Sequence, residues 1–191
     1  MADSNMTKRA LAAAMKELMG EMPFAKITVA DICEKCDMNR KSFYYHFRDK
    51  YDLVNWIYDT EFIAIARKRD YPTTWDFLDD LCGYFYDNRS FYRNALSIRG
   101  QDSFAEHFRE MMLPAMALRL KEILPEGADR EFQISFFTDA VVDTIQRWMM
   151  EKNSMQPSEF LRLLRSCIQC VAAKVCQEME EERAAEETAR P

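Results

Sequence analysis

Arg40, Lys41 and Ser42 stand just ahead of Tyr44, Tyr45 and His46, and Lys50 follows four residues later. Guanidinium and ammonium groups donate to guanine edges, and a hydroxyl can serve several base edges. Two phenols, an imidazole N–H and a further cation suit phosphate oxygens. The chemistry on offer is binding of a polyanion, with base reading at one end of the segment and backbone anchoring at the other. The same aromatics taken alone could be ordinary core. The interleaved Arg40, Lys41, His46, Arg48 and Lys50 argue against that, because isolated buried cations are costly.

The elements around the segment suit this reading. From Thr7, Leu11, Met15, Leu18, Met19 and Met22 recur at helical spacing, and Gly20 and Pro23 end the run. Phe24 and Ile27 then bring an extended apolar linker back over the same core. Thr28 followed by Asp31 is a capping-box pattern, which predicts a short second helix ending near Cys36. Asp37 can take the left-handed turn position, and Asn39 can cap a third helix running to about Phe47. Phe43 and Phe47, four apart, share the face predicted to pack inward. That leaves Tyr44, Tyr45 and His46 turned partly outward, and Thr28 leaves helix-start amides available to a phosphate. Helix, turn and helix make a helix-turn-helix, with Asn39 to Phe47 placed to enter the major groove.

The chain of 191 residues has a formal net charge of -6 and is 48% hydrophobic, with only four glycines and six prolines, which predicts an ordinary helical protein. Charge is unevenly placed. Residues 1 to 50 hold nine Lys/Arg against seven Asp/Glu, and the acidic excess lies beyond them, so a basic front face can still bind a polyanion. No apolar run reaches the roughly 20 residues of a membrane span, and the N-terminus lacks the pattern of a secretory signal, so a cytoplasmic protein is expected. The two C-x-x-C pairs, Cys33/Cys36 and Cys167/Cys170, are far apart and without nearby histidine, which argues against zinc and leaves a thiol switch as an alternative. Two histidines, no glycine-rich phosphate loop and no nucleophile or carboxylate pattern give no apparatus for catalysis. Neither an enzyme nor a cofactor is expected.

The stretch from "TVADIC" through "CDMNRKSFYYHFRDKYDL" resembles the TetR family of bacterial transcription regulators. The resemblance implies an all-α fold of about nine helices, with a three-helix DNA-binding head (1–50) and a larger effector-binding and dimerisation body (51–191). It implies a homodimer on a pseudo-palindromic double-stranded operator. Thr28, Tyr44, Tyr45, His46, Phe47 and Lys50 match the family motif, and Arg40, Lys41 and Ser42 fall where it usually contacts bases. Cys33, Cys36, Asp37 and Lys41 depart from its usual residues. "NRKSFYYHFRDKYDLVNWI" with "DNRSFYRNALSIRGQDSFAEHF" is similar to the subgroup that includes activators of dihydroxyacetone kinase operons, which implies an effector that is a protein partner bound to a small metabolite. The competing reading is a protein-interaction adaptor with a vestigial helix-turn-helix.

Asp49 is predicted to cap a long fourth helix with Leu53, Val54, Ile57, Tyr58, Phe62 and Ile65 on its buried side. Beyond Pro72, helices are predicted from Thr74 to Asn88, Ser90 to Ile98, Ser103 to Leu124 with a kink at Pro114, Asp129 to Lys152, and Ser158 to about Glu182. Trp75, Phe85, Phe91, Tyr92, Phe104, His107, Phe108 and Met111 give the middle helices aromatic and Met-rich faces that can line an effector pocket or simply form core. The last two helices, by the family resemblance, carry the dimer contact. Phe136, Val141, Ile145, Trp148, Leu164, Cys167, Ile168 and Val171 are the candidates, although periodicity alone shows burial without naming the partner.

Overall fold

α1 (Ala2–Glu21) buries Leu11, Met15, Leu18 and Met19 on one stripe. It starts five residues before the predicted Thr7, since nothing between them breaks a helix. The structure is a computed structural model describing residues 2–98, 103–123, 129–170 and 174. Among these there are helices and no strand. Contacts divide the chain into two units, Met1–Ser154 and Met155–Pro191.

In the first unit, Pro23 ends α1, and the expected extended linker is instead a 3-10 turn over Phe24–Lys26. Lys26 N donates to Pro23 O and Ile27 N to Phe24 O, both at 3.0 Å, which pulls Phe24 and Ile27 into the core. α2 (Val29–Lys35) and α3 (Arg40–His46) follow and pack on α1. α4 (Lys50–Tyr58) runs through a π-helical turn, Asp59–Ile63, into the three-residue α5 (Ala64–Ala66). Its buried side is as predicted except at Ile65, which is exposed because the π-turn shifts the helical phase.

A second capping box, Thr73 with Asp76, starts α6 (Thr74–Asp87), and α7 (Arg89–Leu96) follows almost at once. α8 (Phe104–Ile123) continues through Pro114, whose exposed position leaves the carbonyl it cannot serve within reach of water. α9 (Arg130–Met150) packs along α8, where Arg109 Nη2 donates to Ser135 Oγ at 2.8 Å and to Asp139 Oδ2 at 3.2 Å.

The second unit has a helix over 157–170, in which Phe160, Leu161 and Leu164 are buried and Cys167 is exposed. The expected continuation to about Glu182, the breaks at 99–102 and 125–128, and Val171 lie outside the described residues. No helix among the described residues is long and apolar enough to cross a membrane.

Candidate nucleic-acid interface

Thr28 and Asp31 form a complete capping box. Thr28 N and Oγ1 donate to Asp31 Oδ2 at 2.7 and 2.8 Å, and Asp31 N donates back to Thr28 Oγ1 at 3.2 Å. The Thr28 backbone and side-chain hydrogen bonds hold the Asp31 carboxyl below the usual aspartate value of 3.8. The box therefore uses the Thr28 amide and hydroxyl proton internally. What the start of α2 still presents is the pair of amides of Val29 and Ala30, beside a carboxylate.

α2 stops in a Schellman turn. Asp37 has φ 53°, its N–H donates to Glu34 O at 3.2 Å, and Met38 N donates to Cys33 O at 2.8 Å. An aspartate holds the position that most often favours glycine, at a cost that its short polar side chain keeps small. Asn39 Oδ1 then accepts from Ser42 N at 2.8 Å, capping α3 and fixing which residues face out. Such a cap contributes about 1 kcal/mol.

Phe43 and Phe47 are buried, 5.8 Å apart between ring centroids, and Phe47 meets Trp56 of α4 edge-on at 5.6 Å. Burying one such ring stabilises by roughly 1.5–3 kcal/mol, which fixes the rotation of this two-turn helix. The opposite side is open. Tyr44 is 58% and Tyr45 82% exposed, Arg40 and Lys41 are exposed, and Ser42 and His46 are half-buried. Tyr45 and His46 lie edge to face at 4.9 Å. Every residue of α3 except Phe43 is thus at least partly open, with Lys41, Tyr44 and Tyr45 exposed along the helix and Arg40 exposed at its start.

Lys50 sits differently. Its Nζ donates to Phe24 O at 2.9 Å and Ile27 O at 2.7 Å, and lies 4.3 Å from the Phe24 ring centroid. Burial pushes its pKa below the ordinary lysine value, against a smaller upward pull from Asp31. These two hydrogen bonds pin the 3-10 turn and Ile27 to the start of α4. Lys8 of α1, not singled out in the sequence, lies over the Phe47 and Trp56 rings at 5.4 and 5.6 Å, adding a cation behind α3. Burial raises the pKa of both Cys33 and Cys36, which disfavours the reactive thiolate.

In the middle of the chain, Phe85, Phe91, Tyr92, Phe104 and Phe108 are buried, and Trp75, His107 and Met111 half-buried. Tyr58 is their hub, with Phe104 at 5.3 Å, Phe85 at 5.9 Å and Phe108 at 6.1 Å. Its hydroxyl is buried without a hydrogen-bond partner, and burial raises its pKa well above the ordinary value. His107 Nε2 lies 2.8 Å from Asp59 Oδ1, at the first residue of the π-turn. Lys16 Nζ and Tyr84 Oη both donate to Glu61 Oε2 within that turn, at 2.7 and 2.9 Å. Sequence spacing gave no sign of these bonds, whose members are 23 to 48 residues apart.

Two apolar faces share α9. Val141, Ile145 and Trp148 are buried, Trp148 stacking on Tyr86 at 6.1 Å. Phe132 and Phe136 are exposed on the other side. Sequence periodicity grouped residues that the helix divides. Of the α9 candidates for a subunit contact, Val141, Ile145 and Trp148 are enclosed by their own chain and Phe136 is open. In the second unit, Ile168 is half-buried.

The family model described as "Bacterial regulatory proteins, tetR family" matches residues 10–57, and that described as "Transcriptional regulator C-terminal region" matches residues 73–170. The HTH-type dhaKLM operon transcriptional activator DhaS of Lactococcus lactis subsp. lactis (strain IL1403) is 30% identical over 109 residues, 56% of this chain. The matched region is 57% of that protein, less than two thirds of its length. Among solved structures, a TetR transcriptional regulator from Streptococcus agalactiae 2603V is similar with TM-score 0.67 and 22% identity, over 85% of this chain and 93% of that one. The dihydroxyacetone kinase operon activator DhaS is similar at 0.60 and 21%, over 86% and 97%. NalD, the secondary repressor of the MexAB-OprM efflux pump in Pseudomonas aeruginosa, is similar at 0.61 and 15%, over 87% and 96%. At these identities the structural likeness is one of fold.

Proposed function

Because the chain belongs to the TetR family of bacterial regulatory proteins, we propose that it is a cytoplasmic, homodimeric regulator that binds a pseudo-palindromic operator and responds to an effector through its body. The observation that carries this is the two-sidedness of α3. Phe43 and Phe47 lock one side into the core, Lys41, Tyr44 and Tyr45 are exposed away from it, and Arg40 is exposed at the N-terminal end of the helix.

In this reading Asn39 caps and aims α3, and Arg40, Lys41 and Ser42 reach base edges from its N-terminal turn. Tyr44, Tyr45 and His46 donate to phosphates, joined by Lys50 and the amides at the start of α2. The dimer forms through the exposed Phe132 and Phe136 face of α9; in the second unit, taken by itself, Cys167 and Ile168 remain candidates for a subunit contact. The effector is a small molecule or a metabolite-bearing partner protein. It acts on the aromatic cluster of Phe85, Phe91, Tyr92, Phe104, His107 and Phe108, where a hydrogen-bond acceptor would satisfy the Tyr58 hydroxyl, with Trp75 and Met111 as further candidates. By binding one head arrangement better than another, it shifts the population of DNA-competent dimers.

A salt titration tests the reading. Affinity for a selected duplex should fall steeply with salt and exceed affinity for random duplex at every concentration. Equal affinity for both would instead favour the adaptor with a vestigial helix-turn-helix.

A further inference from the structure

Pro23 has no N–H to give to Met19 O, so it strands a carbonyl at the end of α1. A side chain from the body fills the gap. Asn94 of α7 donates through Nδ2 to Met19 O at 3.0 Å and to Met22 O at 2.9 Å, and its Oδ1 accepts from Phe24 N at 2.9 Å. One amide thus uses three hydrogen bonds to close α1 and to seat the 3-10 turn. The carbonyl of Phe24 is held from the other side by Lys50 Nζ, at the first residue of α4. A single residue of the turn is therefore gripped on its N–H by α7 and on its C=O by the helix that follows α3.

We propose that Asn94 is a positioning residue for DNA binding, and that the Asn94–Phe24–Lys50 chain is the joint through which α7 sets the tilt of α3. The inference rests on the DNA-binding reading above. The connection back to the body is physical. Tyr92, two residues before Asn94, is stacked on Phe85 at 4.4 Å, and its Oη donates to Tyr84 Oη at 3.1 Å. Arg93 Nη2 donates to Met150 O at the end of α9, at 3.2 Å. Any shift of α7 within the aromatic cluster moves the Asn94 amide, and the turn it grips must follow or break three hydrogen bonds. Lys50 then carries the movement to the start of α4, three residues beyond the Phe47 that closes α3. Asn94 touches no part of the proposed DNA face, so its effect on binding comes only through the placement of the heads.

The test uses the full chain and a duplex selected from a random pool, alongside the same duplex with one base pair inserted between its half-sites. Wild type should lose about tenfold in affinity or more on insertion, because rigidly placed heads match one spacing. Asn94→Ala should lose about threefold or less with its salt slope unchanged, since no phosphate contact has been removed. Asn94→Asp keeps the acceptor for Phe24 N and removes the donor to α1; it serves the same comparison if the alanine variant does not fold, with the same expected narrowing of the penalty. An insertion penalty equal to that of wild type in a folded variant overturns the joint. If wild type selects no duplex, the DNA-binding reading falls, and amide exchange then judges the joint separately. Exchange at Phe24 and along α3 should rise together in the variant, and a rise at Phe24 with α3 unchanged overturns it.

Discussion

Lys50 Nζ donates to Phe24 O at 2.9 Å while lying 4.3 Å from the centroid of the same residue's ring, so one lysine holds both the backbone and the side chain of the 3-10 turn. This makes Lys50 structural as well as cationic. Lys50→Met, which keeps an apolar stem over the ring, should lower unfolding free energy by about 1 kcal/mol and weaken duplex binding across all sequences. Lys41→Ala should weaken binding with stability unchanged, because Lys41 is exposed. Denaturant unfolding beside binding isotherms separates the two; equal stability of the Lys50 variant and wild type would contradict the assignment.

The Asp31 carboxyl is held below its usual value chiefly by the Thr28 backbone N–H, then by the Thr28 hydroxyl. A depressed folded pKa means the group stabilises the fold fully above the ordinary value of 3.8 and loses that contribution as pH falls through the folded value. Asp31→Asn should therefore be less stable than wild type near neutrality, with the gap closing on the acid side of 3.8. Unfolding curves across that range check it, and a gap that does not change with pH refutes it.

Tyr58 has a buried hydroxyl with no hydrogen-bond partner. Tyr58→Phe removes that liability without changing the packing of the ring, so stability should hold or rise by about 1 kcal/mol. Operator binding should survive and effector response should be lost, as read by duplex binding with and without cell extract from effector-replete growth. A marked loss of stability would show that the hydroxyl has a partner in solution.

Phe132 and Phe136 expose large rings on one side of α9, while Val141, Ile145 and Trp148 are enclosed. The double change Phe132→Glu, Phe136→Glu should give a monomer by sedimentation at concentrations where wild type is dimeric. Stability of the monomeric fold should stay within about 0.5 kcal/mol per site, since both positions are exposed. A dimer that persists would move the contact away from this face.

The features that could be read in the sequence are those whose partners lie within one turn. Thr28 with Asp31, Asn39 ahead of Ser42, and Asp37 at the left-handed position are each spaced by three residues or fewer, and the structure forms all of them. The inward pair Phe43 and Phe47 followed from helical geometry alone. From the sequence Lys50 reads only as a further cation, because its acceptors are 23 and 26 residues away. Asn94 gave no signal, its partners being 70 to 75 residues distant. The π-turn at Asp59–Ile63 was hidden because its residues suit an ordinary helix equally well. On α9, periodicity could mark apolar positions without saying which side the chain itself would cover.

The central claim is that the outward side of α3 reads DNA from its N-terminal turn. Selection from a random duplex pool by wild type and by Arg40→Ala tests it most directly. Wild type should enrich a twofold-symmetric site with half-sites about one helical turn apart, and Arg40→Ala should keep that symmetry while relaxing choice at one position in each half-site. An Arg40→Ala profile identical to that of wild type would contradict the base-reading assignment, and no enrichment by wild type would contradict the whole account.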